Sequence, residues 1–168
     1  MKKVYLILPL VTLLAFTSCV QHVPDAPPIT QLQIREIQTR EFDTKDTKLV
    51  MKSMMNVLQD EGFIIKNAVL DLGLLSAEKN TDIENPHDAT FARMWGGEHA
   101  RWDKQQVLEA SANISEYGAK TRVRMNFQVR ILDNCGGPSE VSTIKNAHHY
   151  QDFFEKVSKG IFIQQENI

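Results

Sequence analysis

The chain predicts an α+β domain: an antiparallel sheet with helices packed on one face, in the order β-α-β-β-(short α)-β-β-β-α. Two adjoining stretches alternate apolar and polar residues with period two. Leu108, Ala110, Ala112 and Ile114 share one face of the first, and Val123, Met125, Phe127, Val129 and Ile131 share one face of the second. Strands of this kind bury one side only and leave the other to water. Two further stretches repeat their apolar residues at helical spacing, and amphipathic helices are what such a sheet needs as a cover.

Taken in order, Gln31 to Phe42 (QLQIREIQTREF) alternates well enough to be expected as the first strand. The next segment reads as a helix capped by Asp43 or Thr44, with Val50, Met54, Val57 and Leu58 on one side and Gly62 as its exit. FIIKNAV and LLSAEK are two short strands around Leu70 to Gly73, where Gly73 permits a tight reversal. Asn85 as cap, Pro86 in the first turn and Gly96-Gly97 as a stop predict a short helix between them. After the two long strands, DNCGGP is a turn and EVSTIK a returning strand. Asn146 then caps a closing helix whose apolar residues are Tyr150, Phe153, Phe154, Val157 and Ile161.

The first nineteen residues have another origin. Met1-Lys2-Lys3 is a cationic start, Val4 to Phe16 is apolar, and Thr17-Ser18 are small, which is the order of a cleaved signal peptide over residues 1–18. The apolar run is shorter than the roughly 20 residues of a membrane-spanning helix. Phe16 to Cys19 (FTSC) resembles the lipobox of bacterial lipoproteins, with Phe in place of the usual Leu. That resemblance implies that Cys19 becomes the mature N-terminus and carries N-acyl and S-diacylglycerol chains. Burial of acyl chain contributes about 0.8 kcal/mol per methylene, so several chains hold firmly where one binds marginally. Residues 19–30, with Pro24, Pro27 and Pro28, are expected as a tether, followed by one folded periplasmic domain over 31–168. In enterobacterial lipoproteins Asp after the lipidated Cys favours inner-membrane retention; with Val20 in that position, the resemblance implies, for a Gram-negative host, delivery to the periplasmic face of the outer membrane.

The chain has 168 residues and a net charge of -2, with 42% hydrophobic and 24% charged residues, an ordinary globular composition. A chain of this length can bury roughly 70% of its unfolded surface, so a core needs no staples. Nucleic-acid binding demands a concentrated basic surface, and the overall charge argues against it. Cys135 is the only cysteine besides Cys19 and reads as a tolerated loop residue. Met51, Met54 and Met55 read as core filling rather than a copper(I) site, because no His or Cys accompanies them. His148 and His149 are adjacent on a helix and diverge by about 100°, which does not suit one metal ion. His22, His87 and His99 are scattered. No nucleophile, metalloprotease, P-loop or dinucleotide motif is present, so no catalytic residue, metal or dissociable cofactor is expected.

Two surface features remain. Lys120, Arg122, Arg124 and Arg130 fall on the polar side of one strand, either as a solvated face balanced by carboxylates such as Glu109, Glu116 or Glu140, or as a surface for an acidic partner, lipid headgroups or peptidoglycan. The balanced face is the favoured reading. In RMWGGEHARW, Trp95 and Trp102 flank a glycine pair, as buried loop packing or as an exposed aromatic patch for protein recognition.

IQTREFDT, LQDEGFIIKNAVLDLGLLSAEK, WDKQQ and YQDFFEKVSKGIF together resemble a family of small, functionally uncharacterised proteobacterial lipoproteins, over nearly the whole mature chain. The passage from helix through LQDEGF to hairpin is also similar to the helix-grip domains of BamC-type lipoproteins of the outer-membrane assembly machinery. The resemblance implies no site beyond Cys19. The function expected is therefore a non-enzymatic accessory or scaffolding subunit of an envelope complex, held by its lipid anchor and bound to an envelope protein. The alternative is a carrier for a lipid or apolar ligand between helix and sheet, with a hydrolase third. An apolar cavity of several hundred cubic ångströms favours the carrier, and a solid core with an exposed patch favours the scaffold.

Overall fold

Period-two burial organises the protein, and its core is the face that the sequence alternation points inward. The computed structural model describes residues 29–166. The signal peptide, Cys19 and the tether up to Pro28 lie outside the described residues. In chain order the elements are α1 (Gln31–Ile37), β1 (Thr39–Phe42), α2 (Thr47–Asp60), β2 (Ile64–Val69), β3 (Leu74–Asp82), α3 (Pro86–Gly96), a 3₁₀ turn (Gly97–His99), β4 (Asp103–Tyr117), β5 (Lys120–Asp133), β6 (Pro138–Thr143) and α4 (Ala147–Gln165). The strands form one antiparallel sheet in the order β1-β5-β4-β3-β2, with β6 also paired to β5. The fold is α+β.

α2 and α4 lie side by side over one face of the sheet. Val50, Met54, Leu58, Tyr150, Phe153 and Val157 meet Ala110, Ala112, Val123, Met125 and Phe127 in a single core. The methionines of α2 pack here, Met54 with no exposure at all. Phe127 stands at the centre, with the rings of Phe63, Tyr150 and Phe153 at centroid distances of 6.2, 5.5 and 5.4 Å. Edge and tilted contacts of this kind are what aromatic quadrupoles prefer.

The N-terminal element departs from expectation. The stretch expected as one strand from Gln31 to Phe42 is half helix: α1 occupies Gln31–Ile37 and only Thr39–Phe42 extend. Gln, Leu, Arg and Glu are good helix formers, and Thr30 with Gln33 closes a capping box. Ile34 and Gln38 are then buried on the same side of the turn. α1 and α3 stand outside the α2–α4 layer.

β1 and β6 share one edge of β5, pairing with 121–124 and 128–132 respectively. Between them the edge is closed by other means. The Met125 N–H donates to the Gln38 carbonyl at 2.8 Å, and the Phe127 N–H donates to the Tyr150 hydroxyl at 3.3 Å. That hydroxyl also accepts from Gln38 Nε2 at 3.4 Å and donates to the Ile144 carbonyl at 3.0 Å. At the β2–β3 turn, Gly73 has φ of +62° and accepts the Ile114 N–H at 2.7 Å. A Cβ there would fall 1.9 Å from the Ile114 carbonyl oxygen, so only glycine fits.

Tyr150→Phe is expected to lower unfolding free energy by about 1–3 kcal/mol, the cost of orphaning buried polar groups, and urea unfolding checks it. Gly73→Ala is expected to cost more than the roughly 1–2 kcal/mol of left-handed strain alone, because the backbone of β4 must also retreat. A thermal melt indistinguishable from the parent chain would contradict that.

Candidate functional site

The sheet has a second face, and it is polar. Register places Ser111, Asn113, Arg124, Asn126, Gln128 and Arg130 on the side away from α2 and α4. The cationic row expected along β5 is there, and the structure divides it. Arg130 pairs with Glu109 on the neighbouring strand, as the balanced-face reading expects. Arg122 pairs with Glu41 of β1 at 2.8 Å, while its guanidinium carbon sits 3.3 Å from the centroid of Tyr117. Lys120 pairs with Asp43 at 2.8 Å. The hydrogen bond from Lys120 to Asp43 raises the lysine pKa, and that from Arg122 to Glu41 raises the arginine's. Glu116 and Glu140, also offered as partners for this row, make no ion pair with it. Arg124 makes none either among the described residues.

Arg124 opens instead into a cleft of about 620 Å³ at the α1 end of this polar face. α1 forms one wall through Gln31, Ile34, Arg35 and Gln38, and Thr143 with Lys145 forms the other. Arg35, Arg124 and Lys145 all line it, and among the described residues no carboxylate does. Gln38 Nε2 donates to Asn126 Oδ1 at 3.1 Å, which leaves the Asn126 amide nitrogen as a positioned donor. The cleft can hold an anionic oxygen among hydrogen-bonding amides. Among the described residues that line it there is no nucleophile–base pair.

The two tryptophans have different fates. Trp102 is half-buried, its Nε1 donating to Glu84 at 2.9 Å and its ring covered by Arg93 at 4.7 Å. Trp95 is 75% exposed on α3, beside exposed Phe91 at a centroid distance of 6.0 Å and exposed Met94. Loop packing therefore describes Trp102, and the exposed patch belongs to Trp95. α3 follows β3 and precedes β4 at the end of the sheet remote from the cleft. Arg124 and Asp133 lie nine positions apart on β5, about 30 Å of strand.

Sequence reasoning found Arg124, Trp95 and Trp102 but not Arg35, Lys145, Gln38, Phe91 or Met94. The helical i, i+4 spacing of Phe91 and Trp95 was a usable signal. Arg35 was hidden by reading α1 as a strand, and Lys145 joins the cleft only through the fold. The histidine pair diverges, His148 meeting Asp152 at 3.0 Å and His149 resting edge-on against Phe127 at 4.6 Å. Cys135 is exposed in the β5–β6 turn.

The α3 segment is tied to that turn. Arg101 contacts Asp133 at 2.6 Å, and Asn134 donates to the Ala100 carbonyl at 3.2 Å. The amides of Gly137 and Cys135 both donate to Asp133 Oδ1. The Gly137 amide foremost, then Arg101 and the Cys135 amide, hold the Asp133 carboxyl below the usual carboxylate range. A folded-state pKa below the unfolded one means stability that is complete above the ordinary aspartate pKa and is lost as pH falls through the folded value. Asp133→Asn is therefore expected to be less stable than the parent chain at neutral pH. The gap should close on acidification below the ordinary aspartate range, as paired thermal melts across pH would show. No protein-family model matches this chain, and no curated protein is significantly similar to it.

Proposed function

We propose that this chain is a non-enzymatic lipoprotein, anchored through acyl chains on Cys19 to the periplasmic face of the outer membrane, where it serves as an accessory or scaffolding subunit of an envelope complex. The observation that carries the scaffolding role is the cluster of Phe91, Met94 and Trp95 on α3, three large apolar side chains exposed together on one short helix. Exposed aromatic and methionine side chains are enriched at the anchors of protein interfaces. α3 is held at its base by Trp102, Arg93 and the Arg101–Asp133 pair, so the patch is presented on a fixed support.

The carrier reading finds less support. The space between α2, α4 and the sheet is filled by Phe127, Tyr150, Phe153, Met54 and Met125, none more than 1% exposed. An apolar ligand has no room there without displacing the core. The cleft on the opposite face mixes cations and amides with Ile34, Leu74 and Ala112, and it lies outside the helix–sheet layer.

A photoreactive residue placed at Trp95 in intact cells is expected to yield a discrete protein adduct, and the same residue at Glu155 on the exposed side of α4 to yield none. Combined Phe91→Ser and Trp95→Ser should abolish binding of that partner without lowering Tm. Equal labelling at both positions would defeat the scaffold reading. Cys19→Ser is expected to remain unacylated, and the mass of the mature N-terminal peptide reads that directly.

A further inference from the structure

The end of the domain that carries the cationic cleft also carries a cluster of exposed aliphatic side chains. Ile29 and Leu32 are exposed at the start of α1, Leu32 to 76%. Leu70, Leu72 and Leu74 are exposed around the β2–β3 turn, and Leu74 lines the cleft with α1. The turn cannot swing away, because Gly73 is bonded to Ile114 of β4 at 2.7 Å. Two projections bearing leucines thus flank a recess in which Arg35, Arg124 and Lys145 face no carboxylate among the described residues. Aliphatic side chains beside uncompensated cations are the composition that partitions into the headgroup layer of an anionic bilayer. A protein partner's apolar pocket would leave the cations without a counter-charge.

Chain connectivity points the same way, and here the inference rests on the lipid anchor proposed above. Ile29 lies ten positions after Cys19. Even fully extended this stretch reaches only about 35 Å, so a bilayer holding Cys19 is within a short reach of α1. We propose that this end of the domain docks on an anionic phospholipid bilayer, with Ile29, Leu32 and Leu72 entering the headgroup layer and Arg35, Arg124 and Lys145 taking lipid phosphates in the cleft. Asn126, oriented by Gln38, supplies a neutral donor to the same phosphate oxygens. α3 then points away from the membrane at the far end of β5.

The test uses the mature acylated chain in nanodiscs of phosphatidylcholine, with and without phosphatidylglycerol, read by amide hydrogen exchange. Exchange across α1 and the β2–β3 turn is expected to slow several-fold only when phosphatidylglycerol is present. The combined variant Arg35→Gln, Arg124→Gln, Lys145→Gln should erase that difference while exchange in α2 and α4 stays as in the parent chain. Equal exchange in both discs overturns docking, as does protection that appears at α3 instead. Glycerophosphoglycerol without a bilayer serves as the third arm. Protection of the cleft by this free headgroup, with none added at Leu32 or Leu72 by the disc, reduces the cleft to a soluble-anion site and overturns the bilayer proposal. The mass of the N-terminal peptide separates the two readings: acylated chain with equal exchange leaves the anchor standing and removes the docking, whereas an unacylated Cys19 removes the anchor itself.

Discussion

One buried hydroxyl holds the split edge of the sheet together. Tyr150 reaches from α4 to the place where β5 has lost β1 and not yet met β6, and it uses all of its hydrogen-bonding capacity there. It accepts from the Phe127 amide and from Gln38, and it donates to Ile144. Without this group the Phe127 amide would be a buried donor with no partner, because no strand passes it at that point. The same contact sets Gln38, and Gln38 sets Asn126 on the opposite face. A core hydrogen bond thereby shapes the polar cleft.

The cost of a split edge has a return in surface chemistry. Because α1 breaks the strand that would otherwise run along β5, it can lean over the polar face and bring Arg35 toward Arg124. Because β6 takes over beyond the gap, its exit delivers Lys145 from the other side. Continued along β5 in the register of β1, the same segment would have set Ile37, Arg35 and Gln33 against Asn126, Gln128 and Arg130. The structure instead satisfies Lys120, Arg122 and Arg130 and leaves one end positively charged.

Legibility followed the range of the interactions involved. β4 and β5 could be read because each residue's side of the sheet depends only on its parity. α2 and α4 could be read because their apolar repeats are local; Asn146 caps α4 through the His148 amide as its position suggests, whereas α2 is capped by Asp46 through the Leu49 amide and not by the expected Asp43 or Thr44. The Gln31–Phe42 stretch misled because Leu32, Ile34 and Ile37 fit alternation only in part, whereas the capping box and the burial of Ile34 decide for helix. Of the site, the cationic row was legible as a row. Which cation would remain unneutralised was not, since Glu41 and Asp43 lie some eighty positions from their partners.

What the sequence by itself determined is the set of surfaces: an apolar and a polar face on each long strand, and an apolar stripe on each covering helix. These follow from backbone periodicity and from residue order, which need no knowledge of neighbours. Only the tertiary structure decided that Trp102 is pinned while Trp95 is bare, that Arg124 keeps its charge uncompensated, and that leucines from α1 and from the β2–β3 turn stand at the same end. Those outcomes depend on strand register and on where connections cross the sheet. Both are set by the collective packing around Phe127 and Tyr150, not by any short stretch of chain.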